Sequence, residues 1–315
     1  MLTARVPLRL TIGGGGSDTE PYVSQHGGFA ITAAISKHVY VSLNQTFQSD
    51  YFCRYSETER ADNISSIAHP IIREALRYYE VPPGIEIVSM ADIPSGTGLG
   101  SSGAFTVALC MALSAYIGQP AEQTQAALDA SHIELEILER PGGKQDHWAT
   151  AMGGVRAIKF AKTGQVYSAA VDAPDKAIAD LDDALRLYYT GTRRDADDVL
   201  STQTTEGLDE IKHLGYQVHH RIVAGDIASL GQMMNLHWAL KRQRSKEISN
   251  PAIDTAYKVA LDNGAIGGKL VGAGGGGFLA FIATDGAMLT DAMTKIGMPE
   301  VPFSFDHIGA TIIAA

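Results

Sequence analysis

The eleven residues Pro94-Ser95-Gly96-Thr97-Gly98-Leu99-Gly100-Ser101-Ser102-Gly103-Ala104 combine the types needed to hold a phosphate. Glycines alternate with small residues, two serines follow, and an unbroken run of helix formers continues to Tyr116. A glycine-rich loop feeding a helix start gathers free backbone N–H groups and the positive end of the helix dipole at one point. The serine hydroxyls can cap the helix or bind a metal that rides on the phosphate. The chemistry indicated is phosphate binding, with a nucleotide as the expected ligand. This is not the Gly-x-x-x-x-Gly-Lys-Ser/Thr loop, because Gly142-Gly143-Lys144-Gln145 and Gly267-Gly268-Lys269-Leu270 both lack a hydroxyl after the lysine. A dinucleotide fingerprint is also absent.

Two further glycine clusters sit at strand ends: Gly13-Gly14-Gly15-Gly16-Ser17-Asp18, just after Arg9, and Gly272-Ala273-Gly274-Gly275-Gly276-Gly277. Three such loops beside polar or charged residues suggest backbone converging on one ligand. Two acids complete the chemistry. Glu134, in a helix with Glu136 and Glu139, can join the shell of a Mg²⁺ whose other ligands are phosphates, waters and Ser102; surface glutamates on helices are also common. Asp146, in Gly142-Gly143-Lys144-Gln145-Asp146, can accept the proton of an attacking hydroxyl or hold it in line, or serve as a helix N-cap.

The elements that must position these residues are mixed. Strands are expected over Thr3–Ile12, Gly28–Ser36, His38–Asn44, Gly84–Met90, Val155–Phe160, Gln165–Val171, Leu185–Thr190, Lys269–Val271 and Phe278–Ile282. Helices are expected over Ile64–Tyr79, Ala104–Tyr116, Ala121–Glu139, Ala252–Asn263 and Gly286–Ile296, with a long helical region from Ala196 to Lys246 broken near Gly215 and Gly225. Asp172–Asp183 reads as an acidic connector. The absence of a βαβα rhythm favours α+β. At 315 residues two domains are expected, dividing near 155–185. A net charge of −10 argues against nucleic acid, and no apolar stretch reaches the roughly 18–20 residues of a membrane span. Two distant cysteines, Cys53 and Cys110, suggest neither a disulfide framework nor a zinc site. A cytoplasmic protein, monomer or homodimer, is expected.

Arg5-Val-Pro-Leu-Arg9 with Gly13–Asp18, Pro94–Ala104, and Lys269–Gly277 together resemble the three motifs of the GHMP kinases, in the family's order and spacing. Gly14–Asp18, Gly142–Asp146, Tyr189-Thr190-Gly191-Thr192-Arg193 and Gly267–Leu270 resemble the D-glycero-D-manno-heptose 7-phosphate kinases within it; Ser17 stands where Thr is expected, and Gly103 where Ala is commoner. The resemblance implies two domains: an ATP-binding one over 1–165 with left-handed βαβ elements, and a ferredoxin-like α+β one over 166–315. It implies that Pro94, Gly96, Gly98, Leu99, Gly100, Ser101, Ser102 and Gly103 cradle ATP, and that Ser102 and Glu134 hold Mg²⁺. Asp146 and Arg9 would be catalytic. Gly14, Gly15, Gly16, Ser17, Asp18, Thr190, Gly191, Arg193, Gly274 and Gly275 would bind a sugar phosphate. The sugar's own phosphate would need cations, for which Arg193 and the run Lys241–Lys246 are candidates, although the run also reads as a solvated helix end. The implied activity is phosphorylation of an anomeric hydroxyl. Alternatives are another sugar-1-kinase, acting on fucose, galactose or a related hexose, and a non-catalytic ligand sensor.

Overall fold

The computed structural model describes residues 1–193 and 196–314. Eleven strands lie among them. The first seven are β1 (Leu2–Gly13), β2 (Gly28–Gln45), β3 (Tyr51–Arg54), β4 (Thr58–Ala61), β5 (Ile85–Ala91), β6 (Val155–Phe160) and β7 (Val166–Ala170); β8 (Leu185–Tyr189), β9 (Ala265–Leu270), β10 (Phe278–Ala283) and β11 (Thr311–Ala314) follow. Eight of them form one sheet in the order β11-β1-β2-β5-β3-β4, with β6 on β2 and β7 on β6. The remaining three form an antiparallel sheet, β8-β10-β9.

The long β2 is where sequence and structure first differ. Two strands were expected, split after Ser36, but one strand of 18 residues runs through. The register against β1 jumps from Pro7↔His38 to Leu8↔Ile35, so Ser36 and Lys37 form a bulge opposite Pro7, which has no N–H to give the ladder. The bend lets one end of β2 pair with β6 and the other with β5.

The helix Ser101–Tyr116 is apolar all round and buries eleven of its sixteen residues against this sheet, Cys110 among them. Its apolarity is what fixes it in the core and so fixes the glycine loop at its start. The expected helix Ala121–Glu139 is two pieces, Gln123–Ser131 and a wider π turn over His132–Ile137. The acidic connector is a helix, Asp175–Ala184, whose Ala177 and Leu181 are buried; Asp175 and Asp183 face outward, while Asp182 turns in to accept the Phe305 N–H. Composition hid a one-sided apolar stripe.

The second sheet carries the helices Ile227–Gln243, Pro251–Asp262 and Gly286–Lys295, with Tyr188, Trp238, Leu279, Phe281, Leu289 and Met293 in its core. Gly215 does not break a helix, as expected, but lies inside Leu208–Val223. A Cβ there would stand 3.0 Å from Gly14 Cα, so its absence lets this helix touch the first glycine loop. The same device joins Ile227–Gln243 to β9, where a Cβ on Gly267 would meet Gly231 O at 2.1 Å. A division at 165/166 would fall between the paired strands β6 and β7, and β11 returns to the first sheet. The two sheets therefore separate after β7, around the Asp175–Ala184 helix. No helix among the described residues is long and apolar enough to cross a membrane.

Candidate active site

Arg9 and Asp146, 137 positions apart in sequence, meet at the centre of a cleft of about 1180 Å³. Arg9 is only 4% exposed. Its Nε and Nη2 donate to Asp146 Oδ1 at 2.8 and 2.6 Å, Nη2 also donates to Oδ2 at 2.7 Å, and Nη1 donates to the Gly98 carbonyl at 2.7 Å. Asp146 lies in the first turn of Gln145–Met152 and does not cap it; Lys144 occupies the cap position. Oδ1 carries two Arg9 bonds and a long one from Gln145 Nε2, whereas Oδ2 carries one. Oδ2 therefore has a lone pair left for an incoming hydroxyl.

One wall is the start of the Ser101–Tyr116 helix. Gly100 takes its N-cap position at φ +73°, with no side chain capping the helix, so the first-turn N–H groups are left for an anion. Facing it, Ser102 Oγ donates to Glu134 Oε2 at 2.9 Å, and Thr106 Oγ1 donates to Oε1 at 2.5 Å. Arg140 Nη1 lies 3.1 Å from Ser102 Oγ and 3.3 Å from Glu134 Oε2, and His147 Nε2 lies 3.2 Å from Oε1. The π turn, seen in Leu138 N–H donating to Ile133 O, aims Glu134 inward. Burial works against the Glu134 carboxylate, but His147, Thr106 and Arg140 outweigh it and hold its pKa down at about 2. Glu136 and Glu139 are exposed on the outside of the turn and are not in the cleft.

The opposite wall is the first glycine loop. Asp18 Oδ2 accepts the Gln145 N–H at 2.9 Å, and burial pushes its carboxyl pKa up. Gln145 Nε2 donates to Thr11 Oγ1 at 2.7 Å, while the buried Gln145 Oε1 has no partner. Below the loop stand His237, Lys241, Arg244 and Lys269, all of which line the cleft and are 2–7% exposed. A rim of Tyr55, His69 and Phe105, with rings in edge and tilted contact, borders the helix-start side.

Of the residues expected in the site, Arg9, Gly15, Gly16, Asp18, Pro94, Gly96, Gly98, Gly100, Ser101, Ser102, Gly103, Glu134, Asp146 and Arg193 line this one cleft. Others do not. Ser17 is fully buried, its hydroxyl donating to Gly14 O and accepting from Phe29 N–H, so it pins the loop to β2. Gly14 lies against Phe29 O and Leu99 is core, its carbonyl accepting the Arg9 N–H. Gly274 and Gly275 dock on Ile248, and Thr190 donates to Gly277 O beside an open Gly191. In the third loop it is Gly272 and Ala273 that reach the cleft.

Family models match both halves of the chain. That of the GHMP kinases N terminal domain matches residues 63–154, and that of the GHMP kinases C terminal domain matches residues 218–292. Together they span more than half of it. The chain belongs to the GHMP kinases. The D-glycero-alpha-D-manno-heptose 7-phosphate kinase of Campylobacter jejuni is 28% identical over 303 residues, covering 89% of this chain and 88% of that protein. The L-fucokinase/L-fucose-1-P guanylyltransferase of Bacteroides fragilis is 24% identical over 89% of this chain, which spans only 34% of that longer protein. The solved structure of a D-glycero-D-manno-heptose 1-phosphate kinase from Bacteroides thetaiotaomicron has the same fold, with a TM-score of 0.82 at 24% identity over 100% of this chain and 99% of that one. As a GHMP kinase the protein is an ATP-dependent phosphotransferase of the sugar-kinase kind, and the site must align a nucleotide with a hydroxyl.

The sequence reading offered Lys241 and Arg244 only as part of a run that equally suited solvent, and it missed His237 and Lys269 as their neighbours in a buried cation group. His237, Lys241 and Arg244 fall at i, i+4 and i+7, one face of a helix, and this spacing was there to be read. Thr11 follows Arg9 by two residues and so shares its face of β1. Lys269 carried no such signal, because only the packing of the Ile227–Gln243 helix on β9 brings it alongside.

Proposed function

We propose that this GHMP kinase transfers the γ-phosphoryl group of ATP to the anomeric hydroxyl of D-glycero-D-manno-heptose 7-phosphate, giving the 1,7-bisphosphate and ADP. The observation that carries this is the Arg9–Asp146 pair, set between an uncapped helix start on one side and a loop of sugar-binding character with buried cations on the other. The Campylobacter jejuni relative, similar over nearly its whole length, supports the acceptor.

In this reading the triphosphate lies over Pro94–Gly103, with the base toward Tyr55, His69 and Phe105. The Ser102 hydroxyl and the Glu134 carboxylate fit Mg²⁺: both are hard oxygen donors, 2.9 Å apart, and Glu134 stays ionised at neutral pH. Among the described residues no group of three His, Cys, Asp or Glu side chains stands ready for a metal, so phosphate and water oxygens would supply the remaining ligands. When bound, Mg²⁺ supplies charge neutralisation on the phosphates. Asp146 Oδ2 accepts the proton of the C1 hydroxyl as its oxygen attacks the γ-phosphorus, and the bond to the β–γ bridging oxygen breaks, leaving that electron pair on ADP. Arg9 fixes the Asp146 carboxylate and, through Gly98 O, the height of the nucleotide loop above it. Asp18 and the free Gln145 Oε1 hold sugar hydroxyls. ATP as donor assigns the reaction to the cytoplasm.

The second reading, a hexose such as fucose as acceptor, is favoured by the fucokinase relative. ADP release measured over heptose 7-phosphate, unphosphorylated heptose, L-fucose and galactose separates the two, with ³¹P NMR of the product. Heptose 7-phosphate should give the largest kcat/KM and a new anomeric phosphate signal. Turnover confined to an unphosphorylated hexose, or none that depends on sugar, would overturn the proposal.

A further inference from the structure

Lys241, Arg244 and Lys269 are basic side chains held in the protein interior without a counter-charge. Among the described residues none of the three has a carboxylate within 4.0 Å. Lys241 Nζ donates to the carbonyls of Leu270, at 3.1 Å, and Gly272. Arg244 Nε donates to Thr204 O at 2.9 Å, and Lys269 Nζ lies 3.2 Å from His237 Nδ1. Burying a charge with neutral partners alone costs several kcal/mol per ion. Burial, then the neighbouring cations, depress the Lys241 pKa to about 7 and that of Lys269 well below its ordinary value. A fold that keeps three such groups together along one wall of its active-site cleft is built for an anion of high charge.

Their position selects which anion. A Cβ on Gly16 would lie 2.8 Å from Arg244 Nη1, so the group borders the first glycine loop, across the Arg9–Asp146 pair from the Ser101–Tyr116 helix start. The nucleotide has its own donors there. We infer that Lys241, Arg244 and Lys269, with His237 beside Lys269, form the subsite for the acceptor's own phosphate and so make this kinase select a phosphorylated sugar. The inference rests on the acceptor reading above and deepens it. A phosphate dianion can take bonds from the guanidinium and both ammonium groups at once. An unphosphorylated sugar leaves Arg244 uncompensated and gives the two lysines no anion to hold them in the charged form, which is discrimination by an unmet charge.

Arg244→Gln and Lys269→Met test it. Replacing a buried unpaired charge by a group of similar volume does not of itself weaken a fold, and thermal unfolding checks both variants. Each should lower kcat/KM for heptose 7-phosphate by about 10²-fold, leave the affinity for a non-hydrolysable ATP analogue with Mg²⁺ within threefold, and bring the preference for phosphorylated over unphosphorylated heptose toward one. Equal losses on both acceptors mean a structural role, and lost nucleotide affinity means that the cations serve ATP; either overturns the inference. Calorimetry with inorganic phosphate, without nucleotide, separates the two proposals. If no heptose is turned over but phosphate binds the wild type and not Lys269→Met, the subsite stands and the acceptor reading falls. If heptose 7-phosphate is turned over and both variants keep its preference, the acceptor reading stands and the subsite falls.

Discussion

The second and third glycine loops touch through backbone alone, and one methyl group tests whether that contact sets the catalytic alignment. Gly98 sits at φ +82°, and a Cβ there would lie 2.5 Å from Val271 O. Because real Cβ contacts essentially never fall under 3.0 Å, Gly98→Ala must drive the two loops apart by at least 0.5 Å. The same residue's carbonyl accepts from Arg9 Nη1 at 2.7 Å, so the shift tilts the guanidinium that holds Asp146. A displacement near 1 Å at a reacting group costs about 10²-fold, and half of that displacement gives an expected fall in kcat of about ten- to a hundredfold. Left-handed backbone adds a strain of about 1 kcal/mol for any residue with a Cβ. Gly118→Ala isolates that strain: φ is +78° and nothing lies within 4 Å of the added carbon. It should lose about 1 kcal/mol of stability and keep its kcat. The assay is steady-state ADP release with each substrate varied in turn, with thermal unfolding of both variants alongside. Retention of kcat within threefold in Gly98→Ala, or an equal loss in Gly118→Ala, would refute the reasoning.

Asp146→Asn keeps the shape but leaves Arg9 buried without its counter-charge; kcat should fall about 10³-fold with affinity for the ATP analogue retained, and a loss below tenfold would remove Asp146 from the reaction. Glu134 has a folded-state pKa of about 2 against an ordinary 4.5. The ionised form is therefore favoured by the fold, and the stability it contributes, about 3 kcal/mol, is present above pH 4.5 and lost as pH falls toward 2. The difference in unfolding free energy between wild type and Glu134→Gln should shrink over that window, and a constant difference would contradict the assignment. Lys241 faces Arg9, Arg244, Lys269 and His237, with Asp18 across the loop, and its pKa near 7 leaves it mostly neutral at pH 8. A bound phosphate raises that pKa and the likewise lowered one of Lys269, so heptose 7-phosphate binding at pH 8 should take up protons, read by calorimetry in buffers of different ionisation enthalpy. Absence of uptake, or uptake undiminished in Lys241→Met, refutes the expected charge state.

The elements were legible where a segment's own residues decide its form. Val155–Phe160 and the apolar helix ending at Tyr116 stand where the pattern put them. The errors share a cause, which is that the deciding partner lies elsewhere in the chain. The bulge in β2 answers to Pro7 on the neighbouring strand, and the Asp175–Ala184 helix is held by two buried apolar positions beneath a mostly acidic surface. The π turn at His132–Ile137 answers to the contacts that Glu134 finds on Ser102, Thr106 and His147. Glycine is ambiguous for the same reason. It permits backbone to approach a ligand and equally permits backbone to approach backbone. Gly15, Gly16, Gly96, Gly98 and Gly100 border the cleft, but Gly14 admits Phe29 O, and Gly274 admits Ile248.

The run from Lys241 to Lys246 shows how far spacing alone can carry such a reading. As a string of like charges at a helix end it suits solvent and the helix dipole, and for part of it that description holds, since Arg242 pairs with Asp254 at the surface. The helix divides the run by angle. Lys241 and Arg244 continue the face begun by His237 and turn inward, while Arg242 and Lys246 turn out. Spacing can identify that face, yet it cannot say whether the face meets water or a cleft. The answer lies in Gly231 and Gly267, whose missing side chains let the helix settle onto β9 and bring Lys269 beside His237. Two glycines with no chemistry of their own thereby decide that three cations share one wall.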